Sequence, residues 1–376
     1  MVGTLQSKAR RAFLLSVFLL LPLVTAFVIA QTTQQMGYGD SDEYLQMAEN
    51  PFRLTFSPHA YRILIPYAAV LVSALAHWPL DLSFFLISLL AFECINLGIL
   101  FWAYGRMGHA PATAILLSLL YCFSYAGVYN LHNYVHIGFW WHLLVLLGFI
   151  AILYDKYAWL FAVVVVGALV NETIVILLPL FIAHDVYRRR SWGVLFRAAL
   201  ILVGFFSLFL LFRSGLILKA SSGISSHTSF LTLDYLKYVY WYWGGPIQTA
   251  KQIAMSFLVL WPLAGLGFLH SDNESRLMAL LIPLAALQVV IATDAIRMTV
   301  VSFPAVLLLV GNLFRVLTRP EQIAATVLSA ANFYSFNWDW HRVLVTGCAS
   351  FVVVVWYFVV VRRRIQARTT VGIAQS

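Results

Sequence analysis

The stretch from Gly37 to Pro66 concentrates the side chains of this sequence that could carry out chemistry. It contains Asp40, Asp42, Glu43 and Glu49, four of the 15 acidic residues in a chain that is 62% hydrophobic and 10% charged. Each carboxylate would be costly to place in hydrocarbon, so the stretch is predicted to lie at a membrane surface. A carboxylate there can accept the proton of a hydroxyl as its oxygen forms a new bond, a contribution of about 10²- to 10⁴-fold to a rate.

Arginine provides the complementary chemistry in two places. Arg62 lies at the end of the acidic stretch, and Arg297 follows Asp294 by three residues late in the chain. The guanidinium fork matches a phosphate by two parallel hydrogen bonds, so Arg62 and Arg297 are candidate phosphate ligands. One helical turn would bring the Asp294 carboxylate beside Arg297 and orient it. The pattern therefore favours displacement of a phosphate, which needs no second carboxylate as general acid, over hydrolysis by two opposed carboxylates.

Each of these residues also has a purely structural interpretation. Asp40 or Asp42 could cap a helix that begins near Glu43. Arg62 could lie among lipid headgroups with its aliphatic stem in the apolar layer. The pair of Asp294 and Arg297 could serve only to anchor a helix end. The sequence leaves both interpretations open for each residue.

Polar residues inside the apolar segments are predicted to be structural. Glu93 and Asn96 fall within one apolar run and are expected to form a hydrogen-bonded pair in the interior of a helix bundle. His132 and His136 are four residues apart, which is a metal-ligand spacing, but no carboxylate accompanies them at a matching interval. We therefore predict neither a metal site nor a cofactor.

The composition determines the class of protein that positions these residues. The chain has 376 residues, a mean hydropathy of +0.85, 12 Trp and 28 Phe, values typical of a polytopic membrane protein. Its formal charge of +9 comes from short basic clusters beside apolar segments, at Lys8 to Arg11, Arg188 to Arg190, Arg315 to Arg319 and Arg362 to Arg364. Such clusters mark cytoplasmic loops rather than a nucleic-acid surface, so no nucleic acid is expected as a partner.

The alternation of apolar and basic segments predicts an all-α transmembrane helical bundle of about 11 to 13 spans, in a single domain over residues 1–376. The first span is Ala12 to Ala30, preferred to a cleaved signal because of its length, and both termini are cytoplasmic. Three outer loops are predicted at 31–61, 213–251 and 293–297. Ile63 to Ala76 is short enough to be re-entrant or interfacial.

The segment from Tyr157 to Tyr187 has two interpretations, because Asn171-Glu172-Thr173 interrupts its apolar run. It forms either one long span with a polar turn at mid-membrane or two short helices whose turn reaches the outer face. Two short helices are preferred, because that choice keeps Arg106 and Lys156 in cytoplasmic loops.

Four features of the sequence, in this order, resemble a known family. They are the acidic run from Asp40 to Tyr44 after the first span, the pair Tyr61-Arg62, the mid-chain turn Asn171-Glu-Thr173, and Asp294-x-x-Arg297. Together they resemble the GT-C superfamily of integral membrane glycosyltransferases, whose members carry a modified Asp-x-Asp in the first outer loop. Where many members have Lys in the mid-chain turn, this chain has Asn171 and Glu172.

The resemblance implies a GT-C type fold and transfer of a sugar from a polyprenyl-phosphate donor to a glycan, lipid or protein acceptor. The reaction would occur at the non-cytoplasmic face of a membrane, by expectation the bacterial inner membrane, with membrane lipids around the protein. The Asp-x-Asp corresponds to Asp40 and Asp42, which become the catalytic candidates. The substrate-binding candidates are Glu43, Tyr44, His59, Tyr61, Arg62, Glu172, Asp294 and Arg297.

A second function remains open from the sequence, namely a multi-pass transporter or flippase of a lipid-linked or small polar substrate. Transporters bind their substrates near the bilayer midplane, where ionisable residues are otherwise rare. Glu93 and Glu172 are the acidic residues that would fit such a role.

Overall fold

The computed structural model describes residues 20–27, 39–50, 62–189, 193–212, 245–288, 295–330 and 340–366. Every regular element in these ranges is helical, and they contain no strand. This confirms the prediction of an all-α protein.

The first ten helices include the acidic stretch, as α2, and they precede and follow the mid-chain turn in the sequence. In chain order they are α1 (20–27), α2 (Gly39–Glu49), α3 (Leu64–Ala76), α4 (Leu80–Gly105), α5 (Pro111–Cys122), α6 (Tyr125–His132), α7 (Gly138–Leu153), α8 (Tyr157–Gly167), α9 (Leu177–Arg189) and α10 (Gly193–Phe212), with a 3-10 turn at Glu172–Ile176 before α9.

The remaining helices complete the bundle. They are α11 (Gly245–Met255), α12 (Leu260–Leu269), α13 (Asn273–Met278), α14 (Leu281–Leu287), α15 (Ala295–Val300), α16 (Phe303–Phe314), α17 (Arg319–Ser329) and α18 (Trp340–Trp356), which continues as a π-helical turn at Tyr357–Val361.

Two of the described helices are long and apolar enough to cross a membrane, Leu80–Gly105 and Leu344–Gln366. Two bent pairs would raise this number to four if each forms one span: α5 with α6, bent by 53°, and α11 with α12, bent by 77°. Shorter apolar helices accompany them at α3, α7, α8, α16 and Gly193–Ser207. The described part of the chain thus contains two to four helices with the length and composition of membrane spans.

Helix α4 connects two polar ends of the bundle. Near its beginning, Asp81 accepts a hydrogen bond of 2.7 Å from the Tyr134 hydroxyl. Directly after its last residue, the Arg106 guanidinium lies 3.9 Å from the centre of the Tyr154 ring. At 26 residues the helix is about 39 Å long, close to the thickness of a bilayer with its headgroups. We call these two regions the Tyr134 end and the Arg106 end.

Helix α3 begins beside the mid-chain turn and ends next to the start of α4. At its start, the Leu64 amide donates to the Leu169 carbonyl. After its last residue the chain reverses through His77, whose φ of 55° is left-handed, and reaches Asp81 at the Tyr134 end. The 13 residues of α3 thus do not connect the two ends, as expected from its length.

The segment around Asn171 folds as two short helices, as preferred from the sequence. Helix α8 ends at Gly167, and α9 begins at Leu177 after the 3-10 turn. The reversal is tight, since a Cβ at Gly167 would lie 2.7 Å from the Ile174 side chain. The carboxamide of Asn171 stabilises the turn by accepting from the amide and the hydroxyl of Thr173, at 3.0 and 2.7 Å.

Three predicted loop boundaries are wrong. The sequence predicts a loop at residues 129–136, but Tyr129 to His132 belong to α6, because the Ser124 hydroxyl caps the helix that follows the bend. Residues 245–251, assigned to the second outer loop, belong to α11. Arg297, assigned to a turn, lies in α15. In each case polar side chains were taken as a sign of a loop, whereas a helix that packs inside a bundle also carries them.

The centre of the bundle is the contact between α12 and α16. Every residue of α16 is buried, from Phe303 to Phe314. A Cβ at Gly267 would lie only 1.9 Å from the carbonyl oxygen of Leu309, so the two backbones approach with no side chain between them. Such close approach through a small residue is typical of helix pairs in membranes.

Candidate functional site

A buried ion pair beside the mid-chain turn joins two residues that are 110 positions apart. Arg62 faces the Glu172 carboxylate with two hydrogen bonds, from Nε to Oε2 at 3.1 Å and from Nη2 to Oε1 at 2.7 Å. The Arg62 side chain is 9% exposed and that of Glu172 is 29% exposed. Burial lowers the pKa of Arg62, but the charge of Glu172 and the hydrogen bonds outweigh it and hold the pKa above its ordinary value. Arg62 is therefore a permanent cation.

Tyr44 connects helix α2 to this pair. Its side chain is completely buried, and its hydroxyl accepts a hydrogen bond of 3.2 Å from Nη1 of Arg62. Tyr44, Met47 and Ala48 form the buried face of α2, at the i, i+3 and i+4 spacing of one helix face. The acidic helix is thus fixed to the bundle by its apolar face and by Arg62.

A second arginine reaches the same cluster through His136. The ring of Tyr44 meets that of His136 edge to face, with their centres 5.6 Å apart. His136 Nε2 accepts a hydrogen bond of 2.5 Å from Nη1 of Arg297. Because arginine can only donate, Nε2 carries no proton in this contact and the ring of His136 is neutral. Glu172, Arg62, Tyr44, His136 and Arg297 therefore form one continuous chain of contacts.

A small cavity lies beside Arg297 and His136. Its volume of about 10 Å³ is that of a single water molecule. Trp141, which is 2% exposed, and His142 also line it. Asn130 donates to Nδ1 of His142 at 3.3 Å, and this contact requires a glycine opposite, since a Cβ at Gly138 would overlap the Asn130 carboxamide at 1.9 Å.

The structure brings together four of the predicted site residues: Tyr44, Arg62, Glu172 and Arg297. Asp42 and Glu43 lie on α2 next to them, with Asp42 exposed and Glu43 half-buried. Asp42 is the fourth residue of α2, so it is inside the helix and not at its cap.

Three further candidates, His59, Tyr61 and Asp294, lie outside the described residues. For Asp40 only the backbone is described; it is the second residue of α2, one helical turn before Tyr44. The proposed orientation of Arg297 by Asp294 therefore stays a prediction.

The expected pair of Glu93 and Asn96 does not form. The Asn96 carboxamide instead accepts from Ser118 at 2.7 Å and donates to the Phe92 carbonyl at 2.9 Å. Both carboxylate oxygens of Glu93 are buried and have no hydrogen-bond partner among the described residues. Residues three apart on a helix face the same side, but Asn96 is drawn to α5 by the hydroxyl of Ser118.

Sequence reasoning missed His136 as a member of the site. It was considered only as a metal ligand with His132, and the described residues contain no group of three His, Cys, Asp or Glu side chains that could hold a metal ion. The available signal was its position in the polar segment before α7, at the end of the bundle predicted to carry the acidic stretch.

Comparison with protein-family models, with curated proteins and with solved structures gives no significant match to this chain.

Proposed function

We propose that this chain is an integral membrane glycosyltransferase of GT-C type that takes its sugar from a polyprenyl-phosphate donor. The observation that carries the proposal is the contact chain from Glu172 through Arg62, Tyr44 and His136 to Arg297. It gathers two guanidinium groups beside the helix that bears Asp40 and Asp42. A cationic centre next to a carboxylate-rich helix, within an apolar bundle, suits a substrate with a phosphate head and an apolar tail.

The two arginines have different roles in this proposal. Arg62 donates two hydrogen bonds to the Glu172 carboxylate and a third to the Tyr44 hydroxyl. It therefore organises the site rather than binding substrate. Arg297 lies on a short helix, is half-buried, and donates from Nη1 to the neutral ring of His136. A contact with a neutral ring does not offset its charge, so we assign the donor phosphate to Arg297, with bidentate hydrogen bonds as the mode of recognition.

The reaction requires one base and one anion-binding group. A hydroxyl oxygen of the acceptor attacks the anomeric carbon of the donor sugar, and the bond from that carbon to the phosphate oxygen breaks. The proton of the hydroxyl passes to Asp40, and the electron pair of the broken bond leaves with the polyprenyl phosphate, whose charge Arg297 stabilises. Asp42, two residues away on the exposed side of α2, is the second candidate for the base.

The direct test is turnover in lipid nanodiscs. Purified protein is given polyprenyl-phosphate-linked hexoses and pentoses with candidate acceptors, and release of polyprenyl phosphate is followed by mass spectrometry. We expect release with at least one donor and none in the Arg297→Ala protein. If every donor is left intact while Arg297→Ala binds donor as well as the native chain, the proposal is wrong.

One observation favours transport of a polar or lipid-linked substrate as the second candidate. Glu93 lies near the middle of the 26 residues of α4, and its carboxylate oxygens are buried without a partner. Acidic groups in such positions often bind transported ions or protons. Uptake of a substrate into proteoliposomes that Glu93→Gln abolishes, with no sugar transfer by the native chain, would favour the transporter.

A further inference from the structure

The Arg106 end contains a polar cavity that the proposed reaction does not use. Its volume is about 400 Å³, and its walls include Trp102, Arg106, Tyr154, Asp272, Asn312 and Arg315. None of the residues that line it belongs to the chain of contacts from Glu172 to Arg297. The cavity is therefore a feature separate from the proposed donor site.

Three arginines line the cavity: Arg188 is in ion pairs with acids of the same walls, whereas Arg106 and Arg315 are in none among the described residues. Among the described residues, no carboxylate lies within 4.0 Å of Arg106 or Arg315, although each is exposed. Arg106 lies over the Tyr154 ring at 3.9 Å, and Arg315 donates from Nη2 to the Met107 carbonyl at 2.8 Å. Both guanidinium groups are thus held in place by contacts other than ion pairs.

Each acidic side chain in the same walls already accepts a hydrogen bond. Asp155 accepts from Nη1 of Arg188 at 2.8 Å, and Glu274 accepts from Arg188 Nη2 and from His184 at 2.9 Å. Asp272 accepts from the Ser275 amide at 2.7 Å at the start of α13. That hydrogen bond, and more weakly the charge of Arg315, hold the pKa of Asp272 below its ordinary value. The walls therefore carry three acids and three arginines, of which Arg106 and Arg315 keep N–H donors outside any ion pair of 4.0 Å among the described residues.

We propose that this cavity binds the phosphate headgroup of an anionic membrane lipid, with Arg106 and Arg315 as its ligands. The size of the cavity accommodates a phosphodiester headgroup, and Trp102, Leu153 and Leu308 add apolar surface to its walls. Basic cavities between membrane helices at a cytoplasmic surface are common sites for such headgroups. The basic clusters that include Arg188 and Arg315 predict that this end is cytoplasmic.

The proposal is tested by native mass spectrometry of the full chain after delipidation in detergent. Phosphatidylglycerol or phosphatidylcholine is titrated into the native protein and into the double variant Arg106→Gln/Arg315→Gln. We expect the native chain to prefer phosphatidylglycerol and the double variant to bind it about 30-fold more weakly, since each arginine near a lipid surface contributes about 1 kcal/mol. Phosphatidylcholine binding should not change.

The control removes the same charge from the same end but not from the cavity. Arg276→Gln/Arg319→Gln should keep the native preference, and Arg106→Lys/Arg315→Lys should keep most of it if the Gln variant proves unstable. An equal loss in the control would show a general surface charge effect and overturn the site. Displacement of the lipid by inorganic phosphate at equal concentration would also overturn it, because the ligand would then be a free phosphate.

Discussion

The guanidinium of Arg62 and the carboxylate of Glu172 face each other with two hydrogen bonds of 3.1 and 2.7 Å, although 110 residues separate them. The pair fixes the start of α3 to the mid-chain turn. We expect Glu172→Gln to lower the free energy of unfolding by about 1.5 to 3 kcal/mol, the range for hydrogen bonds to charged groups, because it leaves the buried Arg62 without its counter-ion. Denaturant unfolding in detergent measures this, with the exposed Glu49→Gln as control.

A double-mutant cycle separates the pair from other effects on Glu172. Arg62→Met together with Glu172→Gln should destabilise the protein by less than the sum of the two single changes, since no unpaired charge remains. Strict additivity would mean that the two residues do not stabilise the fold as a pair.

Arg297 is predicted to bind the donor phosphate. Arg297→Lys keeps the charge but loses the fork, so donor affinity should fall by about 1.5 to 3 kcal/mol while the protein folds normally. Binding of a polyprenyl phosphate to the protein in nanodiscs measures this affinity. Arg276→Lys, outside the site, is the matched control. Unchanged affinity in a folded Arg297→Lys protein would remove Arg297 from the site.

Asp40 and Asp42 form a matched pair of variants for the catalytic base. Asp40→Asn preserves size and removes basicity, so turnover should fall by about 10²- to 10⁴-fold, while Asp42→Asn on the exposed side of α2 should change it little. Rates with a saturating donor, together with the melting temperatures of both variants, give the comparison. The opposite result would assign the base to Asp42.

The sidedness of the two ends can be tested with single cysteines. Cys94, Cys122 and Cys348 are free and are replaced first. Glu49→Cys, at an exposed position at the end of α2, should react with an impermeant maleimide in intact cells. Arg189→Cys should react only after permeabilisation. Ser41 is a poor position for this label because it is only 8% exposed. Labelling of Arg189→Cys but not of Glu49→Cys in intact cells would show that the orientation is the reverse of the predicted one.

The lowered pKa of His109 predicts that the stability of the protein depends on pH. It lies in the turn after α4, and burial, with a smaller effect of the charge of Arg315, lowers its pKa to about 4. The unfolded chain takes up a proton near pH 6.5 and the folded chain does not, so stability should fall as pH drops from about 6.5 to 4, by at most about 3 kcal/mol. Melting temperatures of the native chain and of His109→Gln test this, since the variant should lose part of the slope.

The helices were the predictable part of this protein. Apolar length placed α4 at Leu82 to Tyr104 against Leu80–Gly105 in the structure, and the break at Asn171 followed from three polar residues in an apolar run. Local composition suffices for the helices because the bilayer imposes the same requirement on every span. Tyr44, Arg62 and Glu172 were each chosen for their chemistry, but no local pattern predicted that they would contact one another.

The contact between His136 and Arg297 could not be predicted in the same way. It joins residues 161 positions apart and depends on the 53° bend between α5 and α6 and on the short helix α15. The bend in turn depends on Gly127, where a Cβ would lie 2.6 Å from the Tyr121 carbonyl oxygen. No local pattern specifies which distant side chain a bent helix will meet, and the same holds for the partner of Asn96.

The approach of Gly267 to Leu309 limits how the bundle can move. A carbonyl oxygen lies where any larger residue would place its first side-chain carbon, so α12 cannot slide along α16 without first separating from it. The two helices must therefore travel as one rigid body in any conformational cycle. A movement that admits substrate would have to pivot elsewhere in the bundle. Spin labels at Phe268 and at Arg315, which are both exposed, should keep a constant distance throughout it.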